Sequence, residues 1–140
     1  MIIAAVATNV ERVEEAFARF NETGEFDFAW TDPDIELHDR PDVPDSTVWH
    51  GIEGVRAFFA KTADAFDPIR WEPEELTAAG RHVVVQTRIF ATGRTSGTPI
   101  EVGEGQLWTF SDGRLVRLQG FPSVEDAYAK ALELDAEEAP

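Results

Sequence analysis

The chain has 140 residues, with 27 acidic against 12 basic side chains for a formal net charge of -15, and it contains no cysteine. Such a field repels phosphate backbones and anionic membranes, and the missing thiols exclude disulfides and zinc–thiolate centres. The length suits one domain over residues 1–140 that buries a core without staples, and a cytoplasmic protein with neither nucleic-acid nor membrane partner is expected.

The apolar opening stretch 1–7, MIIAAVA, lacks a basic flank and is too short for a leader or a membrane span. Residues 8–24 read as a helix: Thr8 and Glu11 make a capping box, Val10, Val13, Phe17 and Phe20 form an apolar stripe, and Gly24 supplies the stop. The stretch 26–30, FDFAW, suggests a second, short helix before Pro33. A strand over 34–39 follows, then a loop with Pro41 and Pro44. The next helix, 51–66, carries Ile52, Val55, Phe58, Phe59, Thr62 and Phe66 at helical spacing.

From there the chain turns to strands. Residues 69–79 make one interrupted at Pro73, 81–91 a strong one, and 99–110 a long one whose glycines permit a bend. Asp112-Gly113 signals a type I′ hairpin into a last strand, and 123–134 closes the chain as a helix capped by Ser123. The acidic tail is expected to fray over 135–140. Helices followed by an antiparallel meander argue for an α+β layer, a curved antiparallel sheet wrapped cone-like around the N-terminal helices. Such a cone has a mouth that can hold a small molecule.

Strand alternation then picks out side chains. Ile35, Leu37 and Asp39 share one face, with Glu36, His38 and Arg40 on the other, so the Asp39 carboxylate is in phase with two apolar residues. On the long strand Ile100, Val102, Glu104, Gln106, Trp108 and Phe110 share the inward side. Glu104 and Gln106 must either satisfy each other in a closed network or line a wet pocket. An inward Asp39 favours the pocket. Val83, Val85, Thr87 and Ile89 suit a cavity lining, whereas Val84, Gln86, Arg88 and Phe90 suit a sheet face covered by a second subunit, making a homodimer the expectation. Trp108 is the natural ligand-stacking wall, with Leu37, Val85, Phe110 and the helix aromatics Phe17, Phe20 and Phe59 around it. Trp49 would act as a lid or as a plug at the helix entry, and His38 would reach the mouth as a proton shuttle if the strand kinks. Arg40 and Arg88 suit either an anion clamp or exposed ion pairs. No two of His38, His50 and His82 share an element at ligand spacing, so neither metal nor cofactor is expected.

The capped first helix, DPDIELHD, GIEGVRAFF and the ending LWTFSDGRLVRLQGF with VEDAYAKAL resemble the SnoaL-like branch of the nuclear-transport-factor-2-like superfamily, over about 8–134. The resemblance implies the cystatin-like α+β roll and, through the polyketide cyclases and ketosteroid isomerases of that superfamily, general-base chemistry next to a carbonyl. Asp39 falls where the isomerase strand carries its base, and Gln106 where the isomerase has an acid donor to the oxyanion. The first helix has Ala16 and Phe17 where the isomerase has its tyrosine, so the cyclase reading fits better. Two readings result: an enzyme acting on an apolar, carbonyl-bearing small molecule with Asp39 as base and Gln106 and Glu104 polarising the carbonyl, or a non-catalytic binding or dimerisation module.

Overall fold

The structure, a computed structural model, describes residues 7–138; the reading of the opening apolar stretch falls outside these except for Ala7, as do Ala139 and Pro140 of the tail. Three helices and six strands follow in the order α1 (Asn9–Thr23), β1 (Thr31–His38), β2 (Val48–His50), α2 (Gly51–Ala65), β3 (Phe66–Ala79), β4 (His82–Gly93), β5 (Pro99–Ser111), β6 (Arg114–Phe121) and α3 (Val124–Glu138). The strands form one sheet in the order β2-β1-β6-β5-β4-β3. Every neighbouring pair is antiparallel except β1 and β6, which run parallel. The expected antiparallel sheet is thus present, with one parallel pair that makes it mixed. Hairpins fix direction only between strands joined by a tight turn, and β1 meets its partner some 80 residues later.

Local chemistry accounts for most of the element ends. Thr8 Oγ1 accepts from the Glu11 amide at 3.1 Å while the Thr8 amide donates to Glu11 at 3.0 Å, and Gly24 ends α1 at φ 76°. Asp112 and Gly113, at φ 49° and 76°, make the tight β5–β6 connection. The register of β3 on β4 shifts between Pro73 and Glu75, as a proline without a ladder donor requires. The short helix expected at 26–30 does not form. The Asp27 carboxylate instead accepts from the Ala29 amide at 2.9 Å, a turn that competes with helix, and the strand begins at Thr31.

α1 and α2 cover one face of the sheet. Val13, Phe17, Ile35, Val55, Val83, Trp108, Phe110 and Leu115 are among the side chains of that core. The N-terminal helices are thus wrapped as expected, while α3 crosses the other face and buries Val84, Leu107 and Phe121 under Ala127 and Ala131. α3 thus covers part of the surface read as a subunit interface. Beyond it, Phe90 stays 38% exposed and Arg88 pairs with Glu74 and Glu101.

α3 is anchored where the sequence suggested fraying. The buried His82 bridges Thr109 Oγ1 and Asp135 Oδ1, both at 2.8 Å, while Arg81 reaches Asp135 at 3.1 Å and Glu138 at 2.7 Å. The hydrogen bond from His82, reinforced by Arg81, holds the Asp135 carboxyl below its ordinary range. A carboxyl whose folded value is depressed stabilises the fold above its unfolded value and loses that contribution as pH falls through the folded one. Asp135→Asn is therefore expected to lower the urea midpoint at neutral pH, and the gap from wild type to close on acidification. An unchanged gap down to strongly acidic pH would show that Asp135 does not hold the helix electrostatically.

No described helix is long and apolar enough to cross a membrane.

Candidate functional site

The inward face of β5 is graded along its length. Ile100 and Val102 are 38% and 37% exposed, Glu104 and Gln106 are buried, and Trp108 and Phe110 are buried deepest. The gradient follows from what lies above. α1 covers the far end, where Phe17 and Phe26 sit with ring centroids 5.6 and 6.0 Å from Trp108 and Trp30 lies 6.0 Å from Phe110. Over the near end no described residue fills the cone, and a cavity of about 340 Å³ opens between α2, the loop after β1 and strands β3, β4, β5 and β6.

The structure brings Leu37, His38, Asp39, Glu104 and Gln106 together on the cavity wall. It does not bring the expected aromatic wall there. Trp108, Phe110 and Val85 are core side chains of the sheet, Phe17 and Phe20 are buried side chains of α1 itself, and Phe59 packs among the rings of Phe20, Phe26, Phe58 and Trp71. Trp49 stands behind the wall against Phe58 and is not among the lining residues. The apolar wall comes from Phe58, Phe66, Ile69, Trp71, Ile89 and Leu118, with Val43 from the loop at the rim. Phe58 and Phe59 are consecutive on α2 and so point about 100° apart, one to the cavity and one to the core. The helical stripe held that signal, but it could not say which ring went where.

The polar part of the wall is a connected chain of hydrogen bonds. Glu104 Oε1 accepts from Gln106 Nε2 at 3.0 Å, and Gln106 Oε1 accepts from Trp108 Nε1 at 3.0 Å. Glu104 Oε2 accepts from Arg40 Nη1 at 3.1 Å, and Arg40 binds Asp42 with two parallel bonds of 3.0 and 2.9 Å. The expectation that Arg40 lies outside is thus overturned. β1 ends at His38, so the strand alternation that sent Arg40 outward no longer applies to it. Burial raises the Glu104 carboxyl above the usual carboxylate range, and the bonds from Gln106 and Arg40 only partly oppose it.

Asp39 borders the cavity, but the loop also ties it down. Its Oδ2 accepts from the Thr47 amide and its Oδ1 from Trp49 Nε1, each at 3.0 Å. Its own amide donates to the Thr47 carbonyl, and its carbonyl accepts from Gln119 Nε2. His38 Nε2 is 2.9 Å from Glu36 Oε1, on the strand face opposite Leu37, and burial lowers its proton affinity. His38 thus borders the cavity with its ring engaged by Glu36. Gly120 also borders the cavity, directly against the Glu104 carboxylate. Among the described residues no three His, Cys, Asp or Glu side chains are grouped to hold a metal ion.

The sequence pattern of the SnoaL-like domain matches residues 10–118. The chain belongs to the SnoaL-like domain family. Solved structures agree with this SnoaL-like fold. An NTF2-like protein from Burkholderia thailandensis E264 superposes with a TM-score of 0.71 at 19% identity, covering 90% of this chain and 98% of that one. TerC, co-crystallised with polyporic acid, gives 0.70 at 22% identity over 89% and 98% of the two chains. The epoxide hydrolase/cyclase-like enzyme SalBIII, of pyran ring formation in the polyether salinomycin, gives 0.66 at 22% identity over 79% and 87%. These likenesses place the SnoaL-like chain in the nuclear-transport-factor-2-like fold. No curated protein matches it.

Proposed function

We propose that the protein is an enzyme of the cyclase or isomerase type, which takes a largely apolar small molecule into the cavity and removes a proton next to its carbonyl. The observation that carries this reading is Glu104, a carboxylate only 9% exposed on the wall of a largely apolar cavity. A cavity of about 340 Å³ is at the small end of ligand pockets, and an apolar wall with a few converging polar groups is their usual make-up. The structural neighbours TerC and SalBIII, one carrying polyporic acid and the other named for cyclase-like chemistry, support a small-molecule role.

Of the two carboxylates, Glu104 is the better base. Both carboxylates accept two hydrogen bonds, but those of Asp39 tie down the loop through Thr47 and Trp49, while burial already raises the proton affinity of Glu104. Glu104 takes the proton, and the bonding pair moves into the carbonyl to give an enolate. The Gln106 amide nitrogen carries two hydrogens and spends one on Glu104, so the second is available to the enolate oxygen. Arg40, relieved of the Glu104 charge by the transfer, then faces the charge on the substrate. In a cyclisation the enolate carbon attacks a second carbonyl of the same molecule, and Glu104 returns its proton to the new alkoxide. In an isomerisation the proton returns to a different carbon. Asp39 is a positioning residue that shapes the loop over the cavity.

A second reading is favoured by one observation: Asp39, Glu104 and Gln106 all have partners within the protein, as a non-catalytic pocket requires. The two separate in heavy water. With an apolar cyclic ketone such as 2-tetralone, proton NMR is expected to show loss of the α-proton signals faster with the protein than with buffer. Binding of ketones without any accelerated exchange would leave the binding module.

A further inference from the structure

The one cationic side chain that reaches the polar end of the cavity has its charge spent. Arg40 is the sole Lys or Arg among the described residues lining the cavity, and three of its N–H groups already hold carboxylate oxygens: two on Asp42 and one on Glu104. Asp39 adds a further carboxylate to the same wall. The single guanidinium thus already holds two carboxylates, and a third, Asp39, borders the same cavity. His38, the other basic residue at the edge, turns its ring to Glu36.

We infer that the cavity is selective by charge, admitting uncharged ligands and refusing carboxylates, and that Asp42 enforces this by occupying the Arg40 fork as a built-in competitor. The inference rests on the small-molecule reading of the cavity and adds the charge class of what enters it. A ligand carboxylate gains most from a bidentate bond to a guanidinium, and Asp42 holds that fork in the two-bond geometry. Asp42 is two residues away and needs no encounter, so it competes at the high effective concentration of an intramolecular group. The loop fixes it there: the Val43 amide donates to the Arg40 carbonyl at 3.3 Å, and Ser46 Oγ reaches the carbonyls of Arg40 and Val43 at 3.1 Å. Arg40 in turn holds the Asp42 carboxyl below its ordinary range, so the competitor stays ionised near neutral pH. A ligand carboxylate would give up its water for at most the one spare Gln106 N–H, facing the like charges of Asp39 and Glu104.

The test uses two probes with one carbon frame, cyclohexyl methyl ketone and cyclohexanecarboxylate. Each is titrated at neutral pH into the full chain and followed by the indole N–H signal of Trp71, which lines the cavity. The ketone is expected to bind wild type and Asp42→Asn alike, and the carboxylate to bind wild type at least about tenfold more weakly than the ketone. In Asp42→Asn the carboxylate is expected to gain about tenfold, and Arg40→Gln added to that variant should remove the gain. Carboxylate binding to wild type as tight as the ketone would overturn the inference while leaving the cavity reading intact. An Asp42→Asn variant that binds ketone normally but gains nothing for carboxylate would also overturn it. If neither probe binds either protein, the cavity reading fails and takes this one with it.

Discussion

Glu104→Gln is expected to lower turnover by about a thousandfold while raising the thermal midpoint. The first effect follows from deleting the proton acceptor, since a positioned base contributes on the order of 10²–10⁴-fold. The second follows from the cost of the charge. Glu104 is an acid whose folded value is raised, so the folded state holds its proton more tightly than the unfolded chain does. Stability therefore falls as pH rises through the interval between the two values, and a neutral Gln escapes that loss. Glutamine is close in size, can still accept from Arg40, and leaves Arg40 with its pair of bonds to Asp42. In wild type, turnover should climb with pH above the ordinary carboxylate range as Glu104 ionises. Asp39→Asn should behave differently, raising KM more than it lowers kcat, because it disturbs the loop through Thr47 and Trp49 and leaves the base in place. If Glu104→Gln keeps full turnover and Asp39→Asn abolishes it, the two roles are reversed. Calorimetry and steady-state kinetics on the same preparations read both effects.

The residues of this site were unequally legible. Alternation along β5 placed Glu104 and Gln106 on the inward face with Ile100 and Val102, because a regular strand has a period of two and no bulge intervenes before Thr109. It does not say where along that face the cone is filled, so it cannot separate the wall residues Ile100 and Val102 from Trp108 and Phe110, which are core. That boundary depends on how far α1 reaches across the sheet, a tertiary fact with no local signature. Arg40 illustrates a different loss. Alternation holds only as long as the strand does, and β1 stops two residues before the side chain that ties Asp42 to Glu104. The capping box at Thr8, the hairpin at Asp112-Gly113 and the break at Pro73 were legible because each is settled by chemistry within a few residues. The parallel β1–β6 pair and the seat of α3 on the outer face depend on residues far apart in the chain, and neither could be read from it.

Two glycines separate what holds the fold from what holds the site. Gly105 on β5 and Gly120 on β6 both lie where the backbone approaches a neighbour too closely for a side chain. At Gly105 an added Cβ would run into the Ser123 carbonyl oxygen and stand 2.6 Å from the Val124 nitrogen, atoms of the backbone that starts α3. Backbone cannot rotate away, so Gly105→Ala must lift α3 off Leu107 and its neighbours. A loss of about 3 kcal/mol is expected, at the upper end of overpacking costs. At Gly120 the added Cβ would stand 2.7 Å from Glu104 Cδ and 2.8 and 2.9 Å from its oxygens. Here the obstacle is the end of a flexible side chain, which yields by leaving its place. Gly120→Ala should therefore keep nearly all of its stability but push the Glu104 carboxylate off Arg40 and Gln106, with a loss of about a hundredfold in turnover from a displacement near 1 Å. Urea unfolding and turnover measured on the pair should show opposite profiles, one variant unstable and the other stable but slow. A Gly120→Ala protein that is stable and fully active would mean that the place of the Glu104 carboxylate does not matter to the chemistry, and the assignment of Glu104 as base would fall with it.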